Sequence, residues 1–105
     1  MYNQFMDIPR LSAKEAEVLR LLIANDEMYG LEMVQRSTIL KRGTVYVTLS
    51  RMGDKGYVES RLEEVSPGDG PPRRLYKVTG LGERAYRSME AAAHVFAGGE
   101  VAWGS

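Results

Sequence analysis

The segment Ser66-Pro67-Gly68-Asp69-Gly70-Pro71-Pro72 constrains the fold more than any other. Its prolines lack an N–H and its glycines lack a Cβ, so neither a helix nor a paired strand can run through it. On one side Tyr57 to Val65 reads as a strand, with β-branched or aromatic residues at both ends and Val58 alternating against polar positions. On the other side Arg73 to Val78 reads as its partner. The chain therefore turns back on itself as a β-hairpin with a long exposed tip. One hairpin cannot build a core for 105 residues, so helices must supply the rest.

Three helical segments precede the hairpin. Ser12 with Glu15 three residues later is a capping box, and Ala16, Leu19, Leu22 and Ile23 recur at helical spacing, which predicts a helix from Ala13 to Ala24. Asn25-Asp26-Glu27 breaks it, Met28-Tyr29 forms a short extended step, and Gly30 releases a second helix over Leu31 to Ser37 with Leu31 and Val34 inward. A third helix is expected from Lys41 to the Lys55-Gly56 step, where glycine supplies a left-handed cap. Its core stripe is Val45, Leu49 and Met52, which turns Gly43, Tyr46, Val47 and Ser50 outward and leaves Thr44 and Arg51 on the flank. After the hairpin, Thr79 caps a fourth helix over Leu81 to Ala97 with an apolar stripe of Ala85, Tyr86, Met89, Ala92, Ala93 and Phe96, ended by Gly98-Gly99. The expected class is mainly α with a small β-hairpin (α+β): residues 1–79 as the helix-and-hairpin domain, 80–97 as a C-terminal helix, and 98–105 as a tail containing Trp103.

The formal net charge is zero, which argues against indiscriminate coating of nucleic acid by charge alone. The average hides a gradient. Arg36, Lys41, Arg42 and Arg51 lie in a run free of acids, Arg73, Arg74 and Lys77 follow the hairpin tip, and Asp7, Glu15, Glu17, Asp26, Glu27 and Glu32 load the N-terminal third. Helix, turn, helix, then a hairpin with cations at its base is the order of a winged helix, whose last helix before the hairpin enters the major groove of DNA. Small, hydroxyl and aromatic groups on the outer side of the third helix suit a groove floor, and cations at its entrance suit phosphates. The plainer alternative is that the cations form a solvated face.

Enzyme chemistry has no foothold. The chain has no cysteine and one histidine, His94, without a nucleophile or second ligand nearby in sequence, so no catalytic residue and no metal site is assigned. Gly68-Asp69-Gly70 lies between strands rather than before a helix, which rules it out as a phosphate cradle, and no cofactor is expected. No apolar run approaches the roughly 18 residues of a membrane span, and Met1 to Arg10 lack the basic and apolar regions of a secretory signal, so a cytoplasmic location without membrane contact is expected.

Five separated segments, Met28-Tyr29-Gly30-Leu31-Glu32, Gly43 to Leu49, Lys55-Gly56-Tyr57-Val58-Glu59-Ser60, Pro72 to Thr79, and Gly82, resemble the phenolic acid decarboxylase regulator (PadR) family of winged helix-turn-helix transcription factors in the same order, over Leu11 to Glu90. The resemblance implies a homodimeric repressor binding a palindromic operator in double-stranded DNA, with the C-terminal helix making the dimer contact. It places Thr44, Tyr46 and Arg51 toward DNA, Lys41 and Arg42 against its backbone, and Arg73 and Arg74 on the wing, with Gly43, Val47 and Ser50 on the same outer face. Val47 and Arg42 stand where the family often has proline, giving a more regular helix and an added cation. One C-terminal helix plus a tail, where many members have several helices, suggests a minimal form. Ala85, Tyr86, Met89, Ala93 and Phe96 form the expected dimer seam, which could also receive a hydrophobic small-molecule effector. Tyr46 has two open roles, contacting DNA or packing on its own wing. A winged helix used only for protein–protein interaction is the competing function.

Overall fold

A computed structural model describes residues 10–64, 70 and 72–104, with 95–104 as backbone alone. Most of the hairpin tip and the side chains of Phe96 and Trp103 lie outside the described residues. Helix α1 (Ala13–Ala24) opens on the expected capping box: the Glu15 N–H donates to Ser12 Oγ at 3.1 Å, and the Ser12 N–H donates to Glu15 Oε1 at 2.9 Å. It buries Val18, Leu19, Leu21 and Leu22, while Ile23, expected inside, is exposed. Strand β1 (Met28–Tyr29) leads into α2 (Gly30–Arg36). There Met33 is buried and Leu31 is exposed, the reverse of the expected phase for Leu31. A seven-residue helix has too few turns for periodicity to fix its inward side.

Helix α3 covers Val45–Asp54 and buries Val45, Thr48, Leu49 and Met52. It starts later than expected. Lys41 to Thr44 form a turn in which the Lys41 carbonyl accepts from the Thr44 and Val45 N–H groups at 3.1 and 2.9 Å. Gly43, a poor helix former, lies inside that turn. At the other end Gly56 has φ +79, the left-handed conformation expected of the cap.

Strands β2 (Val58–Leu62) and β3 (Arg74–Val78) form the hairpin, in register from Val58 opposite Val78 to Leu62 opposite Arg74. The short β1 joins as a third antiparallel strand, giving the order β1-β3-β2 with Met28 opposite Tyr76. Along β2 only Val58 is buried and along β3 only Tyr76, so β2 leaves the core after its first residue and the hairpin projects as a wing that β3 anchors through Tyr76. Helix α4 (Gly80–Gly104) packs on α1 and runs through Gly98 and Gly99, where an end was expected. A glycine costs a helix only about 1 kcal/mol relative to alanine and is not an obligatory stop.

One junction ties α3, the wing and α4 together. The Thr79 N–H donates to the Tyr57 carbonyl at 3.1 Å, the Thr79 hydroxyl donates to the Gly56 carbonyl at 2.5 Å, and the Gly82 N–H donates to Thr79 Oγ1 at 3.0 Å. Thr79 thus caps α4, as its position predicted. Gly82 is held so close that a Cβ there would stand 2.1 Å from the Tyr57 carbonyl oxygen.

Candidate nucleic-acid interface

The outer side of α3 is uncovered. Tyr46 is 48% exposed and Val47 53% exposed, and Ser50 and Arg51 are also exposed. Lys41, Arg42, Gly43 and Thr44 are exposed in the turn that leads into the helix. Thr44, the residue before the first turn of α3, makes no side-chain cap bond, so it does not engage the N–H groups that a helix start leaves unpaired.

Two clefts flank this ridge. On the wing side, Tyr46, Leu49, Ser50 and Gly53 face Ser60, Arg74 and Tyr76 across about 420 Å³. Arg74 is positioned there by donating to Ser60 Oγ at 3.0 Å across the hairpin. Burial pushes the Tyr76 phenol pKa up; the Arg74 guanidinium acts against that shift and the Tyr46 phenol adds to it, as their closeness requires. A second hollow on this side, about 250 Å³, is lined by Tyr29, Gly30, Tyr46, Arg73 and Arg74. Arg73 sits over the Tyr29 ring, 4.4 Å from its centroid, a cation–π contact that fixes the tip end of the wing to the start of α2. Tyr46 packs on its own domain, its ring over Gly30, where a Cβ would lie 2.7 Å from Cε1, and half of its surface stays exposed.

On the opposite side, Thr44, Val47, Thr48, Arg51 and Lys55 face Ser12, Lys14 and Glu15 across about 380 Å³. Glu15 is 7% exposed and its Oε2 accepts from Lys55 Nζ at 2.7 Å. Burial acts to raise the Glu15 pKa, but the hydrogen bond from Lys55, the Ser12 N–H, the Lys55 charge and the Ser12 hydroxyl outweigh it and hold the carboxyl below its ordinary range. Lys14 Nζ reaches Thr44 Oγ1 at 3.5 Å. Neither Lys14 nor Lys55 was among the expected site residues. Lys14 meets α3 only through the α1–α3 packing, across 30 positions of sequence, and Lys55, at the end of α3, meets Glu15 of α1 across 40, contacts that no local spacing reports.

The structure therefore brings Tyr46, Ser50 and Arg74 to one cleft and Thr44, Val47 and Arg51 to another, with Lys41, Arg42 and Gly43 in the turn ahead of them. The expected seam on α4 is more divided. Ala85 is 2% exposed and Tyr86 packs against the chain's own core, so both already face inward, while Met89 is half-buried and Ala93 exposed. Phe96 lies outside the described side chains. Among the described residues no group of three or more His, Cys, Asp or Glu could hold a metal ion, and no helix is long and apolar enough to cross a membrane.

Residues 18–88 match the transcriptional regulator PadR-like family. Among solved structures, a PadR-like transcription factor from Bacteroides fragilis superposes with a TM-score of 0.70 at 28% identity, over 78% of this chain and 81% of the other. A PadR family transcriptional regulator from Eggerthella lenta gives 0.68 at 26% identity, over 85% and 79%. The PcaV transcriptional regulator from Streptomyces coelicolor, in complex with its natural ligand, gives 0.62 at 26% identity, over 82% of this chain and 60% of that one. No curated protein matches the sequence.

Proposed function

This chain belongs to the transcriptional regulator PadR-like family, and from that premise we propose that it is a homodimeric repressor that binds a palindromic operator. The fold is that of a DNA-binding regulator. The observation that carries the reading is the exposed ridge of α3, with Tyr46 and Ser50 sharing a cleft with Arg74 of the wing. In the proposed complex α3 enters the major groove with Thr44, Tyr46, Val47, Ser50 and Arg51 toward the bases and backbone. Lys41, Arg42 and Gly43 meet phosphates at the entrance, and Arg73 and Arg74 hold the wing against the adjacent backbone. Two copies join through α4, with Met89 and Ala93 supplying apolar area at the seam and Ala85 and Tyr86 supporting it from within. Half-sites then lie about one helical turn or more apart. A hydrophobic effector at that seam is part of the proposal, supported by the ligand-bound PcaV relative. It regulates by binding one spacing of the two α3 helices better than another.

Sequencing the duplex fragments retained by the purified protein from a random pool tests this. A palindrome establishes DNA binding, twofold symmetry and half-site spacing together. Retention of no fragment at low salt refutes the reading in favour of a protein-interaction module, and a non-symmetric motif refutes the homodimer. Transcription from a template carrying the selected site should fall when protein is added; a rise refutes repression.

A further inference from the structure

The cleft between α1 and α3 has no part in the contacts assigned so far beyond α3's own residues, yet it has the chemistry of an anion seat. Thr44, Val47, Thr48, Arg51 and Lys55 follow the i, i+3, i+4, i+7, i+11 spacing of one helical side, and α1 closes the cleft with Lys14. Three cations, Lys14, Arg51 and Lys55, face a single carboxylate, Glu15. That carboxylate is compensated by Lys55 at 2.7 Å, so the cleft keeps an excess of two positive charges, on Lys14 and Arg51. Neither has an ion-pair partner among the described residues. The Thr44 hydroxyl stands between α1 and the start of α3, 3.5 Å from the Lys14 ammonium.

A major groove is about 12 Å wide and walled by two phosphate backbones. A helix lying in it presents one side to each wall. The wing-side cleft, with Arg74, addresses one wall, and the cleft with Lys14 lies on the other side of the same ridge. Resting on the reading of α3 as the groove-entering helix, we propose that Lys14, Thr44 and Arg51 form a seat for a backbone phosphate of the strand opposite the one the wing contacts. Helix α1 then takes part in binding, and Lys55 serves as a positioning residue that cancels the buried Glu15 charge beside the incoming phosphate.

The test measures binding of the full chain to a mixed-sequence duplex of about 30 base pairs, long enough for two half-sites, as a function of salt. Each phosphate contact contributes about 0.9 to the slope of log K against log salt, equivalent to roughly eightfold in affinity at 0.1 M. K14Q removes one such contact from each subunit of the proposed dimer and should lower the slope by about 1.8, roughly sixtyfold in affinity at 0.1 M, with the preference for a selected operator over mixed sequence unchanged. R20Q removes one charge from the same helix outside the cleft and should leave the slope unchanged. Lys14 is exposed, so K14Q is expected to fold normally. If K14Q keeps the wild-type slope while R74A lowers it, the seat is refuted and the groove reading stands. If R20Q lowers the slope as much as K14Q, diffuse charge rather than a seat is responsible and the proposal fails. If the wild-type chain binds no duplex, both the seat and the groove reading fail.

Discussion

Gly82→Ala is the sharpest test of how this fold is assembled. A methyl group there would lie 2.1 Å from the Tyr57 carbonyl oxygen and 3.1 Å from the Tyr57 Cα. Carbon and oxygen in the closest regular contacts sit about 3.3 to 3.6 Å apart, so α4 or the Tyr57 peptide must retreat by about 1.2 Å. The atoms that would move are those of the junction: Tyr57 O accepts from Thr79 N, and the Gly82 N–H donates to the Thr79 hydroxyl. Losing the backbone bond costs about 1 kcal/mol, weakening the cap about another 1 kcal/mol, and residual overpacking about 1 to 3 kcal/mol. Alanine's better helix propensity returns up to about 1 kcal/mol. The net expectation is a loss of about 2 to 4 kcal/mol, a fall in Tm of roughly 10 °C or more for a domain of this size.

Gly53→Ala is the control. Gly53 also lies in a helix, α3, but a Cβ there meets nothing within 4 Å, so the same exchange should raise stability by up to about 1 kcal/mol. Thermal unfolding followed by far-ultraviolet circular dichroism compares the two. A Gly82→Ala protein as stable as wild type refutes the close junction, and a Gly53→Ala protein that loses stability shows that helix propensity is not what the pair measures.

R42A and R74A should each weaken binding to all duplex sequences and lower the salt slope by about 0.9 per subunit, about 1.8 for the proposed dimer; unchanged slopes in both remove those residues from the backbone contacts. Glu15 has a folded pKa below its ordinary 4.5, so the stability it contributes is fully present above about 4.5 and is lost as pH falls through the lower folded value. Acid unfolding of E15Q should lack that part of the pH dependence, and an acid limb identical to wild type contradicts the Lys55 pairing. Gly30→Ala places a Cβ 2.7 Å from Tyr46 Cε1, and because that ring is half-exposed it can swing aside with little loss of stability. The cost should appear as roughly 1 to 3 kcal/mol of discrimination at one operator position; a binding profile unchanged across all single-base operator variants rejects Tyr46 as a reader.

The parts of this fold legible in the sequence are those written in local chemistry. The bounds of α1 follow from Ser12, Glu15 and the polar break at Asn25, the α3 core stripe from its spacing, and the α3 cap from Gly56. The start of α3 was misplaced because an amphipathic stripe does not distinguish a helix from the tight turn that Lys41 to Thr44 make before it. The site was legible only where one element carries it. Tyr46, Val47 and Ser50 could be assigned outward from α3 alone, whereas the Arg73–Tyr29 contact, the Lys14–Thr44 contact and the Glu15–Lys55 pair each join elements far apart in sequence. Ala85 and Tyr86 show the same limit from the other side. An apolar helical stripe reveals that a face is covered, but not whether the cover is α1 of the same chain or a second subunit.

That division along α4 bears on how the proposed dimer would respond to the proposed effector. The first turns of α4 are fixed to the wing and to the end of α3 through Thr79, Gly56 and Gly82, while Met89 and Ala93 lie farther along the same helix. A ligand bound between two α4 helices would therefore move α3 and the wing together as one body rather than bend the wing away from α3. Its effect on DNA affinity would arise from the distance and angle between the two bodies, and would equal its preference for one arrangement over the other. Loosening the junction with Thr79→Val removes the cap while nearly keeping the side-chain shape, and should reduce the ligand's effect on operator affinity more than it reduces operator affinity itself. Equal fractional losses in both would mean that the signal does not pass through the Thr79 junction.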